Sequence, residues 1–522
     1  MSARVFTSPR APAGYLRAAA LCFAAACALI PQGRSAANVV PPPIASDCTI
    51  SVPVYVVGAT PAGVAAAVSA ARIGEPVLLT ESRPYPGGDL TGPMLNMFDM
   101  DFGPGGLQLA QGVFMDVYRR LGMTFDVEYA KRVFREELHQ EPLITVQYHE
   151  RPFAITLDGE RINEVMVENT VTHAQEIVCA KRIVDATDDA DIAAMAGVPY
   201  AIGRETSGID RSMMSATLVF ELGGVNWRQV VGYVTGLRGH QRMHAAGSYH
   251  GNVWGYAALM AGYHPARPDV AIYDLNLGLQ DNGAVLVNGL LLFGVDGTDP
   301  ASVRRAMADG KAELDPLVEY LREMAPGFDH AYLIKPADYL YIRETRHIRG
   351  LYTLGLQDLV TSRVFWDAIG VASYPIDLHP YRPGEFSPFA ARRYLYTIPL
   401  RALIPYGVSN MLIASRSISA TYEAAGSARI VPTTMEEGQA AGAAAVISIL
   451  NKVSVPQMAN APDLVHALQA ALSDQGAYLL PETLDAAIGH RPVSPPASTL
   501  VSGASSSVQH LPSVLNPPAP EH

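Results

Sequence analysis

Asp377 and His379 are the residues of this 522-residue chain whose types and spacing first suggest acid–base chemistry. They follow a Tyr-Pro step, and residues two apart in an extended chain project to the same side. A histidine beside a carboxylate can donate or accept a proton near neutral pH. Because a lone histidine is more often structural, the pair is a hypothesis for a catalytic site.

A second charged cluster lies upstream, where Arg343, Arg346 and Arg349 bracket Glu344 and His347. If the segment is helical, several of these side chains share one face. Arginine can bind a substrate carboxylate through paired hydrogen bonds, which makes Arg343 and Arg346 candidate catalytic residues. The alternative is an ion-pair network of Arg343 or Arg346 with Glu344 or neighbouring residues, and the sequence leaves both interpretations open.

The sequence Gly-Ala-Thr-Pro-Ala-Gly at 58–63 has the character of a nucleotide-binding turn. Gly58 allows a tight turn out of a strand, and Gly63 lets the next helix lie close to the sheet. Thr60 can cap that helix, Pro61 suits its first position, and its free N–H groups form an anion site for a diphosphate. Thr60 replaces the usual middle glycine, and we hypothesise that its hydroxyl bonds a phosphate oxygen.

Glu81 lies 23 residues after Gly58, where the next strand is predicted to end. A carboxylate at this place can accept hydrogen bonds from the 2′-hydroxyl of a ribose. The alternative is a solvated surface charge, but the loop, the strand and the spacing together favour the ribose role.

The predicted elements place these residues at the ends of buried strands. Continuous β-forming runs are typical of strands buried on both faces of a parallel sheet, and they occur at 54–57, 76–80, 182–186 and 410–414. Alternation from 143 to 178 predicts a small antiparallel meander. Glu436 to Leu450 is predicted to be a helix of small residues, and Asp463 to Ser473 a short amphipathic helix.

These segments together resemble the FAD-dependent oxidoreductase family found in many bacterial exported proteins, and more distantly the flavoproteins of succinate dehydrogenase and heterodisulfide reductase. The similar segments lie in the family's order at 58–67, 81, 86–88, 184–191, 343–350, 374–379, 410–416, 426–429 and 437–445. The resemblance runs from about Val54 to Leu480. The chain departs from the family's pattern at Asp188 and Ser415, which stand where glycine is usual.

The resemblance implies an α/β fold: a Rossmann-like FAD-binding domain with a parallel sheet and an inserted β-meander, plus a mixed α+β substrate domain. It implies FAD as the cofactor, with the flavin beside the start of the closing helix. The residues that would bind FAD are Gly58, Thr60, Pro61, Ala62, Gly63, Glu81, Ser82, Gly87, Gly88, Asp185, Ala186, Thr187, Arg416, Arg429, Gly438, Gln439 and Ala440. The scattered histidines suggest no metal site.

The first 37 residues have the layout of a secretory signal, so we expect an exported protein, periplasmic or secreted. Arg4, Arg10 and Arg17 precede a 13-residue apolar run that is too short to span a membrane. Removing the segment takes away four basic residues and no acidic ones, so the formal charge moves from -12 to -16. This excess of carboxylates argues against nucleic-acid binding. Cys48 and Cys179 remain as either one disulfide or two separate thiols.

The expected organisation is a signal peptide at 1–37, a linker at 38–51 and a first FAD-binding part at 52–214. A substrate domain at 215–395 and a second FAD-binding part at 396–455 follow, then a helical extension at 456–490 and a disordered tail at 491–522.

The predicted function is hydride transfer between a small organic substrate and the flavin of an FAD-dependent oxidoreductase. The alternatives are a NAD-dependent dehydrogenase built on the same first βαβ unit and an inactive nucleotide-fold protein that binds a ligand. The sequence identifies neither a substrate nor an electron acceptor. It also leaves open the oligomeric state and whether the flavin is bound covalently or non-covalently.

Overall fold

The computed structural model describes residues 48–237, 246–389 and 392–479. The predicted signal peptide and the predicted tail lie outside the described residues. Among those residues, no helix combines the length and the apolar character that crossing a membrane requires.

Eighteen strands run through the described chain. In chain order they are β1 (Ile50–Val57), β2 (Val77–Glu81), β3 (Ile144–Tyr148), β4 (Glu150–Asp158), β5 (Arg161–Asn169), β6 (Gln175–Asp185), β7 (Tyr200–Ile202), β8 (Ala216–Gly223), β9 (Gly247–Tyr249), β10 (Asn252–Trp254), β11 (Val270–Ala271), β12 (Asn276–Leu279), β13 (Val285–Leu292), β14 (Tyr332–Pro336), β15 (Arg346–Ile348), β16 (Ala368–Ala372), β17 (Tyr396–Pro399) and β18 (Met411–Ile413).

Thirteen α-helices accompany them in the same part of the chain. They are α1 (Pro61–Ile73), α2 (Gly88–Thr91), α3 (Val113–Leu121), α4 (Val127–His139), α5 (Asp191–Met195), α6 (Trp227–Gly236), α7 (Ala257–Met260), α8 (Pro300–Met324), α9 (Leu356–Val360), α10 (Tyr422–Ala428), α11 (Val431–Leu450), α12 (Val455–Ala459) and α13 (Pro462–Asp474).

The first sheet is the predicted parallel sheet with an inserted meander, which confirms the α/β fold class. Its parallel part has the order β3-β2-β1-β6-β18. The strand β6 is long enough to belong to both the antiparallel and the parallel part of the sheet. Its first half pairs antiparallel with β5, and its last three residues pair parallel with β18. The meander is therefore β4-β5-β6, and the prediction that it begins at 143 is wrong, because β3 pairs parallel with β2.

The helices α1 and α11 cover this sheet and pack closely against each other. Residues 432–448 of α11 are all buried, and glycines replace side chains where the two backbones meet. A Cβ on Gly438 would lie 2.0 Å from the carbonyl oxygen of Ala62, and one on Gly442 would lie 2.1 Å from that of Ala66. Small residues are therefore required along the contact.

The second sheet is antiparallel, with the order β14-β8-β13-β12-β10-β9 and β11 paired to β13. Its apolar side forms a separate core in which Leu218 and Val287 pack with Leu314 and Leu317 of α8. The other side of β10, β12 and β13 carries polar residues that line a cavity. The mixed α+β character of this part agrees with the predicted fold class.

A disulfide joins Cys48 to Cys179, 131 residues apart, and so decides between the two alternatives that the sequence left open. It fastens the chain just before β1 to the middle of β6. A covalent link across so long a loop restricts the unfolded chain.

We expect the double variant Cys48→Ser/Cys179→Ser to lose about 2–4 kcal/mol of unfolding free energy. The measurement is urea denaturation of the wild type and the variant, with and without a reducing agent. The reducing agent should destabilise the wild type by the same amount and leave the double variant unchanged. Equal midpoints for all four samples would contradict the prediction.

Candidate active site

The predicted nucleotide loop lies at the carboxyl ends of β1, β2 and β6, the edge of a parallel sheet where ligands bind in such folds. Gly58 has a φ of 99°, and a Cβ there would lie 2.6 Å from the carbonyl oxygen of Ala186. Gly63 is equally constrained, since its Cβ would lie 1.9 Å from the carbonyl oxygen of Gly58. Both glycines are thus required by the close approach of β1, α1 and the turn after β6.

Thr60 caps α1 as predicted, because its hydroxyl oxygen accepts a hydrogen bond from the Gly63 N–H at 3.1 Å. The same hydroxyl donates its proton to the carbonyl oxygen of Ala186 at 3.0 Å. That proton is already used inside the protein, so the structure does not support our hypothesis that the hydroxyl bonds a phosphate oxygen. The threonine instead ties the loop after β1 to the turn after β6.

Glu81 ends β2 as predicted and faces a cavity of about 500 Å³. Its carboxylate accepts hydrogen bonds from the N–H groups of Ala59 at 2.8 Å and Arg83 at 2.9 Å. Glu81 therefore braces the nucleotide loop and at the same time borders the space where a ribose would lie. Ser82, which donates to this carboxylate, and Thr187 line the same cavity.

Four arginines line this cavity, and two of them, Arg83 and Arg416, contact the acidic residues at 89 and 188–189. Arg416 donates to Asp189 at 2.8 Å and to Asp89 at 3.3 Å, and Arg83 lies 3.9 Å from Asp188. Arg83 Nη1 and Arg416 Nε are buried and have no hydrogen-bond partner among the described residues. Unpaired guanidinium donors beside a helix N-terminus suit a diphosphate.

Burial and the neighbouring carboxylate of Asp188 raise the pKa of Asp89 to about 7, although Arg416 and Arg83 oppose the shift. Asp188, which stands where the resemblance expects glycine, is 3.7 Å from Arg416 and lines the cavity. The carboxylates therefore compete with any incoming phosphate for the two arginines.

Replacing Asp188 by glycine should tighten FAD binding about tenfold, because one negative charge leaves the phosphate path and one competitor for Arg83 and Arg416 is removed. The measurement is fluorescence titration of the apoprotein with FAD. Asp188→Asn keeps the size and removes the charge, so it should give most of the gain. Unchanged or weaker binding in both variants would show that this carboxylate does not oppose the cofactor.

A small pocket of about 30 Å³, which we call the neck, shares lining residues with this cavity and with a second one of about 590 Å³. Thr60, Asp188 and Arg416 line both the neck and the first cavity, whereas Tyr341 and Arg343 line both the neck and the second. The predicted residues Pro61, Ala62 and Arg429 also line the neck. The two cavities and the neck, which together extend from Glu81 to His379, are therefore lined by residues of the nucleotide loop and by arginines.

The second cavity brings together three of the four predicted catalytic residues, Arg343, Asp377 and His379. His379 Nε2 lies 3.5 Å from the Asp377 carboxylate, which also accepts a hydrogen bond from Arg429 at 2.8 Å. Arg343 Nη1 donates to the carbonyl oxygen of Ser215 and its guanidinium lies 4.2 Å above the Tyr341 ring.

The burial and the charges of this cluster shift the pKa values of its two titratable groups, Asp377 and His379. Burial and the nearby Arg343 lower the pKa of His379 to about 4, so its imidazole is neutral at pH 7. Burial alone would raise the pKa of Asp377, but His379 and Arg429 hold it below its usual range. An ionised Asp377 favours the tautomer with the proton on Nε2, which leaves Nδ1 of His379 as a proton acceptor.

The structure does not support the catalytic role predicted for Arg346. The segment is extended rather than helical, and Arg346 donates to the carbonyl oxygen of Asp189 and to the carboxylate of Asp191. It lines neither of the two cavities. The alternative interpretation of this cluster, an ion-pair network, therefore fits Arg346, although its partner is Asp191 and not Glu344.

The predicted contacts of Gly438, Gln439 and Ala440 with FAD also need correction. α11 begins at Val431 rather than at Glu436, so these residues lie in its third turn. All three are buried, and Gln439 Oε1 accepts a hydrogen bond from the N–H of Val113. The residues of α11 that border the neck are Val431 and Thr434.

Four other predicted cofactor residues support the loop without lining either cavity. The Gly87 N–H donates to the carbonyl oxygen of Ala59, and Gly88 packs against Pro61. Ala186 accepts from Thr60, as described above. Asp185 accepts from the N–H groups of Thr187 and Ala193, and burial raises its pKa to about 7.

Sequence reasoning missed Arg83, Asp89 and Tyr341, which border the two cavities or the neck. Arg83 follows Glu81 by two residues, and that spacing is the one local signal that could have found it. Among the described residues no group of histidine, cysteine, aspartate and glutamate side chains could hold a metal ion.

The parallel sheet, the glycine-bounded turn and the arginine-bordered path define the class of protein as a dinucleotide-binding protein. The chain belongs to the FAD dependent oxidoreductase family, whose profile matches residues 53–472. It is therefore an enzyme with FAD as its cofactor, which confirms those two predictions and favours them over the NAD-dependent and inactive alternatives.

Solved structures share this backbone arrangement only loosely. A geranylgeranyl bacteriochlorophyll reductase-like protein from Thermoplasma acidophilum is 11% identical, with 82% of this chain and 84% of that chain covered and a TM-score of 0.40. The p-nitrophenol 4-monooxygenase PnpA from Pseudomonas putida DLL-E4 is 10% identical over 84% and 92%, with a TM-score of 0.38. The flavin-dependent brominase Bmp2 is 10% identical over 84% and 92%, with a TM-score of 0.39. None of the curated proteins matches the chain.

Proposed function

We propose that this FAD-dependent enzyme transfers a hydride between a small organic substrate and the flavin, with the substrate in the 590 Å³ cavity. The observation that carries the proposal is the cluster of Asp377, His379 and Arg343 on the wall of a cavity that shares Arg343 and Tyr341 with the neck beside the nucleotide loop. Pockets of this size that combine apolar walls with a few converging polar groups are typical of small-molecule sites.

FAD would be held by the loop at 58–63, by Glu81 and by Arg83 and Arg416, and when bound it supplies a two-electron acceptor or donor. The chain's own part is to handle the proton. His379 is neutral at pH 7 and can accept a proton from a substrate hydroxyl or amine at Nδ1. Asp377 orients the imidazole and stabilises its charged form, and Arg429 keeps Asp377 ionised.

Arg343 has a different part in this proposal. Its Nη1 is held by the carbonyl oxygen of Ser215 and the hydroxyl of Thr217, each at 2.8 Å, so its position is fixed. Burial lowers its pKa to about 10, which still leaves it charged at pH 7. A fixed positive charge at the junction of neck and cavity favours negative charge that develops during the reaction.

The test is to purify the protein, record its visible spectrum, and denature it to see whether flavin is released. Candidate substrates are then added without oxygen to the holoenzyme, and loss of the flavin absorbance reports hydride transfer. If the purified protein contains no flavin, the proposal is overturned before any substrate is tested. A flavin that dithionite reduces, but that exchanges electrons with no organic donor or acceptor, contradicts substrate hydride transfer.

The rate of substrate-dependent flavin reduction should stay level from pH 8 to pH 5 and fall only as the pH approaches 4. The reason is that His379 must be neutral to accept a proton, and its pKa is lowered to about 4 rather than lying near 6.5. Anaerobic stopped-flow measurements across this range check the profile, with circular dichroism to confirm folding at each pH. A fall centred between pH 6 and 7 would contradict the assigned environment of His379.

We also propose that the protein works in an oxidising compartment after export. The signal-like layout of residues 1–37 and the disulfide between Cys48 and Cys179 support this localisation. Cell fractionation and the mass of the mature protein test it. A full-length protein with reduced cysteines in the cytoplasm would overturn the proposal.

A further inference from the structure

The floor of the 590 Å³ cavity is one face of the second sheet. The strand register sets Asn288 of β13 opposite Asn276 of β12, and Asn276 opposite Trp254 of β10. Residues opposite each other on neighbouring strands share a face, with Cβ atoms about 4.5–5.5 Å apart. Two amides and an indole thus form a continuous row beneath the cavity.

A second row runs beside the first. Asn252 lies two residues before Trp254 and shares its face, and its Oδ1 accepts a hydrogen bond from the Asn96 amide at 3.0 Å. Gly278, opposite Asn252, leaves room for Asn96, since a Cβ there would lie 2.2 Å from the Asn96 amide nitrogen. The residues of opposite orientation, such as Val253 and Leu277, are buried in the apolar core.

This floor is rich in hydrogen-bonding groups that carry no charge. An asparagine amide both donates and accepts, so it can bond neighbouring hydroxyl groups without requiring an ionised ligand. Asn276 Oδ1 is buried and has no hydrogen-bond partner among the described residues. A buried acceptor without a donor costs free energy, which a ligand hydroxyl would recover once the amide turns its oxygen toward the cavity.

The walls add aromatic faces and little positive charge. Tyr273, Tyr374 and Phe386 line the cavity together with Trp254, and aromatic faces pack well against the C–H faces of a ring. Among the described residues, the charged side chains that line the cavity include three aspartates, Asp99, Asp274 and Asp377, and one arginine, Arg343. Of these only Arg343 could pair with a substrate carboxylate, and its Nη1 is already held by Ser215 and Thr217.

We propose that the substrate is a neutral polyhydroxylated compound, a sugar or a cyclic polyol, which is oxidised at a secondary alcohol. This inference rests on the proposed function. The C–H bond of the alcohol carbon breaks and its electron pair leaves with the hydrogen as hydride to FAD, which is reduced. The O–H bond breaks as its proton passes to His379 Nδ1, and the C=O bond of the product ketone forms.

The experiment uses the holoenzyme without oxygen and compares D-glucose, cellobiose and myo-inositol with lactate, benzyl alcohol and benzylamine. We expect at least one of the three polyols to bleach the flavin, and to do so at lower concentration than any comparator. A second readout is binding to the purified protein by isothermal titration calorimetry, which does not depend on turnover.

Asn276→Leu keeps the side-chain volume and removes the hydrogen bonds, so it should weaken binding of the reactive polyol about tenfold. Trp254→Ala should weaken it by a similar factor through loss of the aromatic face. The control variant is Asn163→Leu, at an exposed position of β5, which should bind and react as the wild type does. Thermal unfolding of each variant separates lost binding from lost folding.

The outcomes distinguish a failure of the polyol substrate class from a failure of the proposed hydride-transfer function. If lactate, benzyl alcohol or benzylamine reduces the flavin and no polyol does, the hydride-transfer function stands and the polyol class is overturned. If dithionite bleaches the flavin but no polyol binds or reacts, the polyol class is overturned as well. If the purified protein lacks flavin, the proposed function fails, whatever the polyols bind.

Discussion

Replacing His379 by asparagine should lower the rate of substrate-dependent flavin reduction about 10²- to 10⁴-fold, the usual contribution of a positioned general base. Asparagine has a similar size and can hydrogen-bond Asp377, but it cannot accept a proton at neutral pH. Since His379 lines the substrate cavity and not the nucleotide cavity, the FAD content should be unchanged. Single-turnover stopped-flow absorbance without oxygen gives the rate, and the visible spectrum gives the FAD content.

The matched control is His466→Asn, at an exposed position of α13, which should reduce its flavin at the wild-type rate. A second check is the pH profile, because the fall near pH 4 should disappear once the imidazole is absent. A His379→Asn variant with full FAD content and a rate within about threefold of the wild type would remove His379 from the chemistry.

The second large effect is expected from Gly438→Ala. The added methyl group would lie 2.0 Å from the carbonyl oxygen of Ala62, so α1 and α11 must separate. Overpacking of this kind typically costs about 1–3 kcal/mol, and here the neighbour is backbone, which cannot rotate away. Because Ala62 also borders the neck, FAD affinity should fall as well. Urea denaturation and FAD titration measure the two effects.

Gly232→Ala provides the control within the same protein. Gly232 is an exposed residue of α6, and a Cβ there would have no neighbour within 4 Å in the part of the chain that the structure describes. Alanine in a helix should therefore add about 0.5–1 kcal/mol of stability, the opposite sign to Gly438→Ala. If Gly438→Ala left both the unfolding midpoint and the FAD affinity unchanged, the close contact of α1 with α11 would be refuted.

The nucleotide loop could be predicted from the sequence because every signal is local. Strand, turn and helix follow one another within residues 54–80, and Glu81 closes the unit at a known spacing. The pairing of Asp377 with His379 was predictable for the same reason. No local signal indicates that Arg429 holds Asp377 in place, because the two are 52 residues apart.

The errors have physical causes that the sequence partly shows. The contacts predicted for Gly438, Gln439 and Ala440 assumed that the helix begins at Glu436. The helix begins at Val431, and Pro432 in its first turn is the sequence signal that marks this start. Arg346 was assigned by assuming a helix where the chain is extended and paired with β7. The row formed by Asn288, Asn276 and Trp254 depends on the register of three strands, and register is decided by the whole sheet.

The pairing of β6 with both the meander and the parallel strands restricts how the meander can move. One uninterrupted strand carries both the meander and the turn at 185–187 that meets the nucleotide loop, and a disulfide anchors its middle to the start of β1. The meander therefore cannot swing as an independent flap, because its hydrogen-bonded ladder continues directly into the nucleotide fold. Changes of shape that affect the second cavity are therefore expected on its other sides, in the antiparallel sheet and in the loops that line it.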